Sequence, residues 1–209
     1  MTILPNTATR LRRLAAFDLA VFDEVRFDRS ASVTSLAVAA VSMSMLGIGG
    51  WLWWWTSGLG DSGAVFFKSA VLGTLFSLTL WLVWLLVVYA VVHRLSGAVV
   101  RVDELLRAAG LATAPLALAL LMVVPAVSFG IGLIAIAGWL LATQVAIERA
   151  TSVSSSHALL ANMAGFSVWA LGMSLLTTAG DQLAPGPFLA ESLWDALAAL
   201  DGAGAALLG

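Results

Sequence analysis

The sequence predicts an all-α integral membrane protein, a bundle of five transmembrane helices with an amphipathic interfacial helix at each end. The first observation is composition: 61% of the 209 residues are hydrophobic and 11% are charged, whereas soluble domains carry about 25% charged residues. The second is Ala108–Ile147, a run without one ionisable side chain. As a helix this run would be roughly 60 Å long, about twice the hydrocarbon thickness of a bilayer.

Pro125 divides this long apolar run into two spans. Proline lacks an amide donor and moves the preceding residue, Val124, away from helical geometry. We therefore predict a tight hairpin that joins one span near Ala108–Val124 to the next near Ala126–Ile147.

An amphipathic helix is predicted before the first span, over Arg10–Asp28. Its charged side chains lie opposite an apolar face. That apolar face comprises Leu11, Leu14, Phe17, Val21, Phe22 and Val25. Asp18 intrudes on it, and we predict that Asp18 hydrogen-bonds a nearby backbone group or arginine, with binding of a partner as the alternative. The helix is expected to lie in the membrane interface or to pack under the bundle.

Span one is predicted near Ser32–Trp55, with Ser30 or Ser32 as its N-cap. It ends in a cluster of indole side chains: Trp51, Trp53, Trp54 and Trp55. Tryptophan is enriched at both surfaces of a bilayer, so we interpret the cluster as an interfacial aromatic belt. The alternative is an aromatic site for a pigment, a sterol or a partner.

Span two is predicted near Ala64–Val92, with Lys68 at its start extending its ammonium group to the interface. A loop over His93–Asp103 follows, and Asp103 is the predicted N-cap of span three. After the hairpin, a serine-rich loop leads into span five, which is predicted near His157–Thr178.

The C-terminal tail after span five is too short and too acidic to cross a membrane. We predict a second amphipathic helix there, over Phe188–Asp201. The residues expected to dock on the ends of the spans or on a partner are Leu189, Leu193, Trp194 and Leu197. A frayed terminus at the membrane surface is the alternative. The chain thus divides into an N-terminal segment (1–30), a five-span membrane domain (31–180) and the tail (181–209).

The distribution of lysine and arginine predicts the orientation of the spans. Nine of these ten residues fall on the side of the N-terminus, and Lys68 falls on the other. Cytoplasmic loops carry an excess of basic residues, so we place the N-terminus in the cytoplasm and the C-terminus outside. The excess of arginine over lysine is typical of a bacterial protein, and we assign the chain to the bacterial cytoplasmic (inner) membrane.

A reporter that is active only outside the cytoplasm tests this orientation. Fused after Gly209 it is expected to be active. Fused after Arg101 it is expected to be silent, because the basic residues hold that connection inside. The measurement is reporter activity normalised to protein abundance. Activity after Arg101 would contradict the five-span topology.

No pattern indicates catalysis, a cofactor or a metal, so we expect a protein that is not an enzyme and has no cofactor. The centres of the predicted spans carry no Asp, Glu, Lys or Arg, which argues against a proton-coupled pump and an intramembrane aspartic protease. Gly130–Ala135 matches the dinucleotide fingerprint G-x-G-x-x-A, but it follows no strand, and we interpret it as helix packing. His93 and His157 lie in different loops without a third ligand nearby. The net charge of −2 gives no indication of a nucleic-acid partner.

A polar cluster lies beside the hairpin: Gln144, Glu148 and Arg149. Because adjacent residues on a helix point in different directions, Glu148 and Arg149 do not pair with each other. Arg149 is predicted to reach Glu104 or Asp103 and so to lock span three against span four. A cytoplasmic docking site for a partner is the alternative.

Several short motifs in a fixed order resemble the Yip family, the Ypt/Rab-interacting protein domain of multi-pass membrane proteins. They are Gly110 and Pro115 in AAGLATAPLAL, Pro125, Trp139 and IERATSVSSSHALL, with VFDEVRFDRSAS upstream. The resemblance covers roughly Phe17 to Gly180. Gly110 and Pro115 lie inside span three, where such residues are tolerated only if neighbours pack against the backbone or satisfy it. We therefore predict packing contacts at both positions.

The resemblance implies a non-enzymatic protein of membrane organisation or trafficking. Its expected partners are the lipid bilayer and other membrane proteins or further copies of itself. In eukaryotic members of the family this means contact with small GTPases and related membrane proteins. One alternative is a permease or channel component for an uncharged or lipidic solute. Another is a fixed accessory subunit of a larger membrane complex.

Overall fold

A computed structural model describes residues 3–58, 62–97 and 100–177 of the chain. Every regular element in these ranges is helical. Their α-helices are α1 Ile3–Ala15, α2 Val21–Phe27, α3 Ala31–Ser57, α4 Ser62–Phe66, α5 Thr74–Ser96, α6 Val102–Ala112, α7 Ser128–Thr151 and α8 Ser155–Thr177. A π-helix, Phe67–Gly73, joins α4 to α5, and 3-10 helices occupy Ala114–Val123 and Pro125–Val127.

Five helical segments within these ranges are long and apolar enough to cross a membrane. They are Ala31–Ser57, Ser62–Ser96, Val102–Val123, Pro125–Thr151 and Ser155–Leu175. The predicted all-α class and the five predicted spans are thereby confirmed, and the chain is a multi-pass membrane protein. The docking residues predicted in the tail, Leu189, Leu193, Trp194 and Leu197, lie outside the described residues.

The hairpin predicted at Pro125 is present. Val124 has an extended backbone (φ −93°, ψ 103°), and a 3-10 turn over Pro125–Val127 leads into α7. The hydroxyl oxygen of Thr56, at the end of α3, lies 3.0 Å from the carbonyl oxygen of Val123. The steric effect of proline on the residue before it thus decides where the apolar run turns.

Span three is α-helical only in its first half. α6 ends at Ala112, and the chain continues as a 3-10 helix with Pro115 in its first turn. Proline ends the α-helical pattern because it lacks the amide donor and its ring crowds the preceding turn. The Thr113 hydroxyl donates to the carbonyl oxygen of Gly110 at 2.7 Å, so this carbonyl stays hydrogen-bonded at the junction.

The N-terminal segment contains two helices, so the prediction of one helix over Arg10–Asp28 is wrong. α1 already begins at Ile3, and Phe17 in the turn before α2 has a positive φ of 60°. The apolar pattern does not reveal the break, because the pattern continues on both sides of it. The side chains that α2 buries against the bundle are Val21, Phe22 and Val25. The segment therefore packs on the bundle, which is one of the two arrangements predicted for it.

Two predicted helix boundaries differ from the structure, and one predicted N-cap residue is present without its capping bond. Ser30 is the N-cap residue of α3, but its side chain caps no amide, and its own amide donates to Asp28 instead. Arg101, not Asp103, is the N-cap residue of α6. His93 is helical, because α5 continues past it to a left-handed glycine cap.

One end of the bundle, which we call the polar end, carries the charged contacts to α2. Successive spans run in opposite directions, so the starts of α3 and α6 and the end of α7 meet there. α2 lies across this end and packs on α6 and α7. The four tryptophans at the end of α3 and the Pro125 hairpin lie at the opposite end of the spans.

Candidate functional site

Arg107 of α6 ties α2 to the polar end. Its side chain is 3% exposed, and its Nε and Nη2 donate to the carbonyl oxygen of Arg26 at 3.0 and 2.7 Å. Nη1 donates to the Ser32 hydroxyl at 3.1 Å, and Nη2 also donates to Asp103 at 3.0 Å. The planar guanidinium sets the directions of these bonds, so it holds α2, α3 and α6 in one arrangement.

Arg149 pairs with α2 and not with α6. Its Nη1 lies 2.8 Å from Oδ2 of Asp23, so the predicted contact with Glu104 or Asp103 is wrong. Glu104 is buried, and its Oε2 lies 3.8 Å from Nε of Arg26. The prediction failed because it treated span three as the neighbour of Arg149, whereas α2 lies across the ends of both α6 and α7. The cluster therefore locks α2 onto the bundle.

Further ion pairs hold α1 against α2. Arg10 lies 2.7 Å from Asp28, and Arg13 lies 2.7 Å from both Asp18 and Glu24. The prediction that Asp18 hydrogen-bonds an arginine is confirmed. The bond from Arg13 is the main cause that lowers the pKa of Asp18. The pair therefore stabilises the fold above the ordinary pKa of aspartate, and this stabilisation is lost as pH falls through the lowered value.

A ladder of polar side chains runs inward from the polar end between α7 and α8. Gln144 donates to Glu148 at 2.8 Å, and Asn162 donates to Gln144 at 3.2 Å and to the carbonyl oxygen of Leu140 at 3.1 Å. Asn162 and Thr143 are fully buried. Within the described chain, Oδ1 of Asn162 and Oγ1 of Thr143 have no hydrogen-bond partner. Because burying an unpaired polar atom costs free energy, these two oxygens are the candidate binding groups of the ladder.

An aromatic cluster from α5, α7 and α8 lies one helical turn along α7 from the ladder. The Trp139 ring is centred 4.8 Å from that of Trp84 and 5.0 Å from that of Trp169. Phe166 completes the cluster, 5.5 Å from Trp84. Gly165 makes room for it, since a Cβ there would lie 1.8 Å from Cδ1 of Trp84. The rings fill the space between the three spans where the ladder ends.

Gly110, Pro115 and Pro125, singled out by the resemblance, lie at separate places in the bundle. A Cβ on Gly110 would lie 2.6 Å from the carbonyl oxygen of Ser35 in α3. Pro115 faces α7, where a Cβ on Gly138 would lie 3.1 Å from the Pro115 ring. Pro125 forms the hairpin at the far end. These residues shape the packing of the spans, whereas Trp139, Glu148 and Arg149 belong to the clusters described above.

The tryptophans at the end of α3 have different surroundings. Trp55 is exposed and stacks on Trp51 with ring centroids 6.0 Å apart. Trp51 Nε1 donates to the carbonyl oxygen of Ser62 at 2.9 Å, while Trp53 and Trp54 are half-buried against the core. All four lie at the end of a span, where an interfacial belt belongs, and the belt stays a prediction.

Sequence reasoning missed the role of three groups. Arg107 was counted only as one of the positive charges that predict the orientation. Its position four residues after Asp103 is nevertheless the spacing of an ion pair on a helix. The sequence gives no signal of the cluster around Trp84, because its aromatic partners come from other spans. Lys68, expected to extend to the interface, is 7% exposed within the π-helix. The adjacent Ser69 donates to a carbonyl of α3 at 2.7 Å, which turns this part of the span toward the bundle.

Comparison of the chain with protein-family models, with curated proteins and with solved structures found no match. Membership of the Yip family stays a prediction that depends on the motifs quoted above. Within the residues described, no group of three His, Cys, Asp or Glu side chains could hold a metal ion. The described clusters supply groups for hydrogen bonding, ion pairing and apolar contact.

Proposed function

We propose that this chain is a non-enzymatic protein of the bacterial cytoplasmic membrane that acts by binding other membrane proteins or by organising the membrane. This is the role that the Yip resemblance implies, with the N-terminus in the cytoplasm. The observation that carries the proposal is the aromatic cluster at the inner end of the polar ladder. Conduction of a solute needs an open path through the bundle, and here the rings of Trp84, Trp139 and Trp169 pack against one another at the inner end of the ladder.

The docked N-terminal helices offer a preformed surface for a partner. Ion pairs join α1 to α2, and Arg107 and Arg149 join α2 to the spans. Surfaces that are ordered before binding lose less conformational entropy when a partner binds. A partner on this surface would also contact the element that bridges α6 and α7.

A permease for a small uncharged solute is the second candidate. It is favoured by Asn162 and Thr143, whose buried oxygens have no partner within the described chain. Such atoms could hydrogen-bond a solute that carries donor groups. On this interpretation the aromatic rings would have to move apart to admit the solute.

Flux and crosslinking measurements separate the two functions. In proteoliposomes we expect the permeation of water and glycerol to equal that of empty vesicles, because the aromatic cluster closes the ladder. In native membranes, a photo-crosslinker at Arg12 on α1 is expected to give discrete adducts with other membrane proteins. The control is the same crosslinker at Leu133, an exposed apolar position on α7, where no discrete protein adduct is expected.

Two outcomes would contradict the proposal. One is solute flux above that of empty vesicles that is lost in Asn162→Leu, which would establish the permease. The other is a crosslinking pattern at Arg12 that does not differ from the pattern at Leu133.

A further inference from the structure

The turn between α1 and α2 exposes an aromatic side chain at a position of left-handed backbone. Phe17 has φ 60° and is 87% exposed. Its amide donates to the carbonyl oxygen of Leu14 at 2.9 Å, and the amide of Asp18 donates to that of Arg13 at 3.0 Å. The bond from Asp18 to Arg13 is the 6→1 hydrogen bond of a Schellman motif. In this motif the left-handed residue is most often glycine.

Other helices of this chain end in the expected way. Gly58 after α3 and Gly97 after α5 have φ of 67° and 62°, and Ser152 after α7 is a small polar residue with φ 54°. A bulky side chain at such a position is unfavourable because its Cβ crowds the backbone. Phe17 therefore destabilises the turn. Because its ring is exposed, contacts with the protein do little to offset this cost.

The surroundings of Phe17 keep the turn in place. Arg13 Nε donates to Oδ2 of Asp18 at 2.7 Å, and the amide of Ala20 donates to Oδ1 of the same carboxylate at 3.1 Å. The carboxylate thus bridges the end of α1 and the approach to α2. Strained residues that are held by their neighbours are a feature of functional positions.

The turn adjoins the end of α2 that pairs with α7. Near the C-terminal end of α2, Arg26 pairs with Glu104 of α6. Nearer its N-terminal end, Asp23 pairs with Arg149 of α7. The turn before α2 therefore leads into the end of α2 that contacts α7. The side of α7 turned away from the bundle is apolar and exposed, with Leu133, Ile134 and Leu141 more than half accessible.

The size of the exposed patch distinguishes a lipid surface from a protein partner. Besides Phe17 its one large apolar side chain is Leu19, flanked by the exposed alanines of the turn. An aromatic side chain buries about 150–250 Å², whereas a stable protein interface buries about 800 Å² on each partner. One ring and one leucine are too small for such an interface, but phenylalanine and leucine are among the side chains that interfacial segments bury at the boundary between headgroups and acyl chains.

We propose that Phe17 is a membrane anchor: the turn between α1 and α2 inserts the Phe17 ring into the headgroup layer of the bilayer beside α7. The insertion holds the turn at the bilayer, in addition to the bonds by which Arg107 and Arg149 hold α2 on the bundle. This inference does not depend on the function proposed above, since it concerns the bilayer and not a protein partner.

Because the sequence contains no cysteine, a single introduced cysteine can be labelled without labelling any other site. Ala16→Cys, exposed next to Phe17, carries a polarity-sensitive fluorophore in vesicles that contain lipids brominated near the headgroup. Its quenching is compared in the Phe17, Phe17→Leu and Phe17→Gly backgrounds. Ser154→Cys, in the exposed loop between α7 and α8, is the matched reporter in each background.

We expect quenching at Ala16 to fall about twofold or more in Phe17→Gly, because the ring supplies most of the apolar area of the turn, and to be largely kept in Phe17→Leu. Quenching at Ser154 should not change. The thermal midpoint of Phe17→Gly in detergent should equal or exceed that of the parent, since glycine relieves the left-handed backbone.

Each remaining outcome overturns the proposal. Unchanged quenching at Ala16 in Phe17→Gly would show that the ring does not hold the turn in the lipid. A lower thermal midpoint would show that the Phe17 ring stabilises the folded protein itself, which contradicts its assignment to the lipid. Loss of a co-purifying protein without a change in quenching would assign Phe17 to a protein interface.

Discussion

Gly110→Leu is expected to lower the stability of the bundle more than the same change at an exposed glycine. A Cβ on Gly110 would lie 2.6 Å from the carbonyl oxygen and 2.9 Å from the carbonyl carbon of Ser35. These are backbone atoms of α3, so no side-chain rotation can relieve the contact. The two helices must separate, which for overpacking in a tight core costs about 1–3 kcal/mol and occasionally more.

Gly130→Leu is the matched control for this prediction. Gly130 lies on α7, and a Cβ there meets nothing within 4 Å. The same added side chain therefore finds open space, and glycine-to-leucine in a helix is otherwise favourable by propensity. The measurement is the thermal midpoint of unfolding of both variants in mild detergent, monitored by circular dichroism. Equal midpoints would remove the Gly110 contact as a determinant of the packing between α3 and α6.

The spans could be predicted from the sequence because the bilayer imposes the same requirement on each of them. A span must be apolar over its length and must satisfy its own backbone, and both conditions can be read locally. The hairpin at Pro125 was predictable for the same reason, since proline acts on its immediate neighbour Val124. The break at Phe17 was not predictable, because a non-glycine residue in the left-handed region carries no compositional signal.

The candidate site was predictable only where it lies on one helix. Gln144 and Glu148 were grouped because they are polar residues close together in the sequence, and their separation of four residues places them on one face of α7. Their link to Asn162 depends on how α8 packs against α7, and the link from Arg149 to Asp23 depends on where α2 folds back. Spacing along the chain contains no information about either arrangement. The aromatic cluster was missed for the same reason.

The second large effect is expected at Arg107, where Arg107→Met should release α2 from the polar end. The methionine removes both bonds to the carbonyl oxygen of Arg26 and the bond to the Ser32 hydroxyl. Loss of a buried charged donor that leaves its acceptors unpaired costs about 1–3 kcal/mol for each group left unsatisfied. Lysine at this position should restore little, because one ammonium group cannot reproduce the planar fork of arginine.

Arg101→Met is the matched control for Arg107, because it removes the same charge from the same end of the bundle. The Arg101 side chain is 53% exposed, and it pairs with Asp103 at 3.2 Å and with Glu104 at 3.4 Å. Exposed pairs of this kind contribute about 0–1 kcal/mol. The two readouts are the thermal midpoint in detergent and the rate of proteolysis within residues 1–30. We expect Arg107→Met to lower the midpoint and to accelerate cleavage, while Arg101→Met leaves both close to the parent. If the two variants behave alike, the number of positive charges at the polar end matters, and the buried guanidinium does not hold α2.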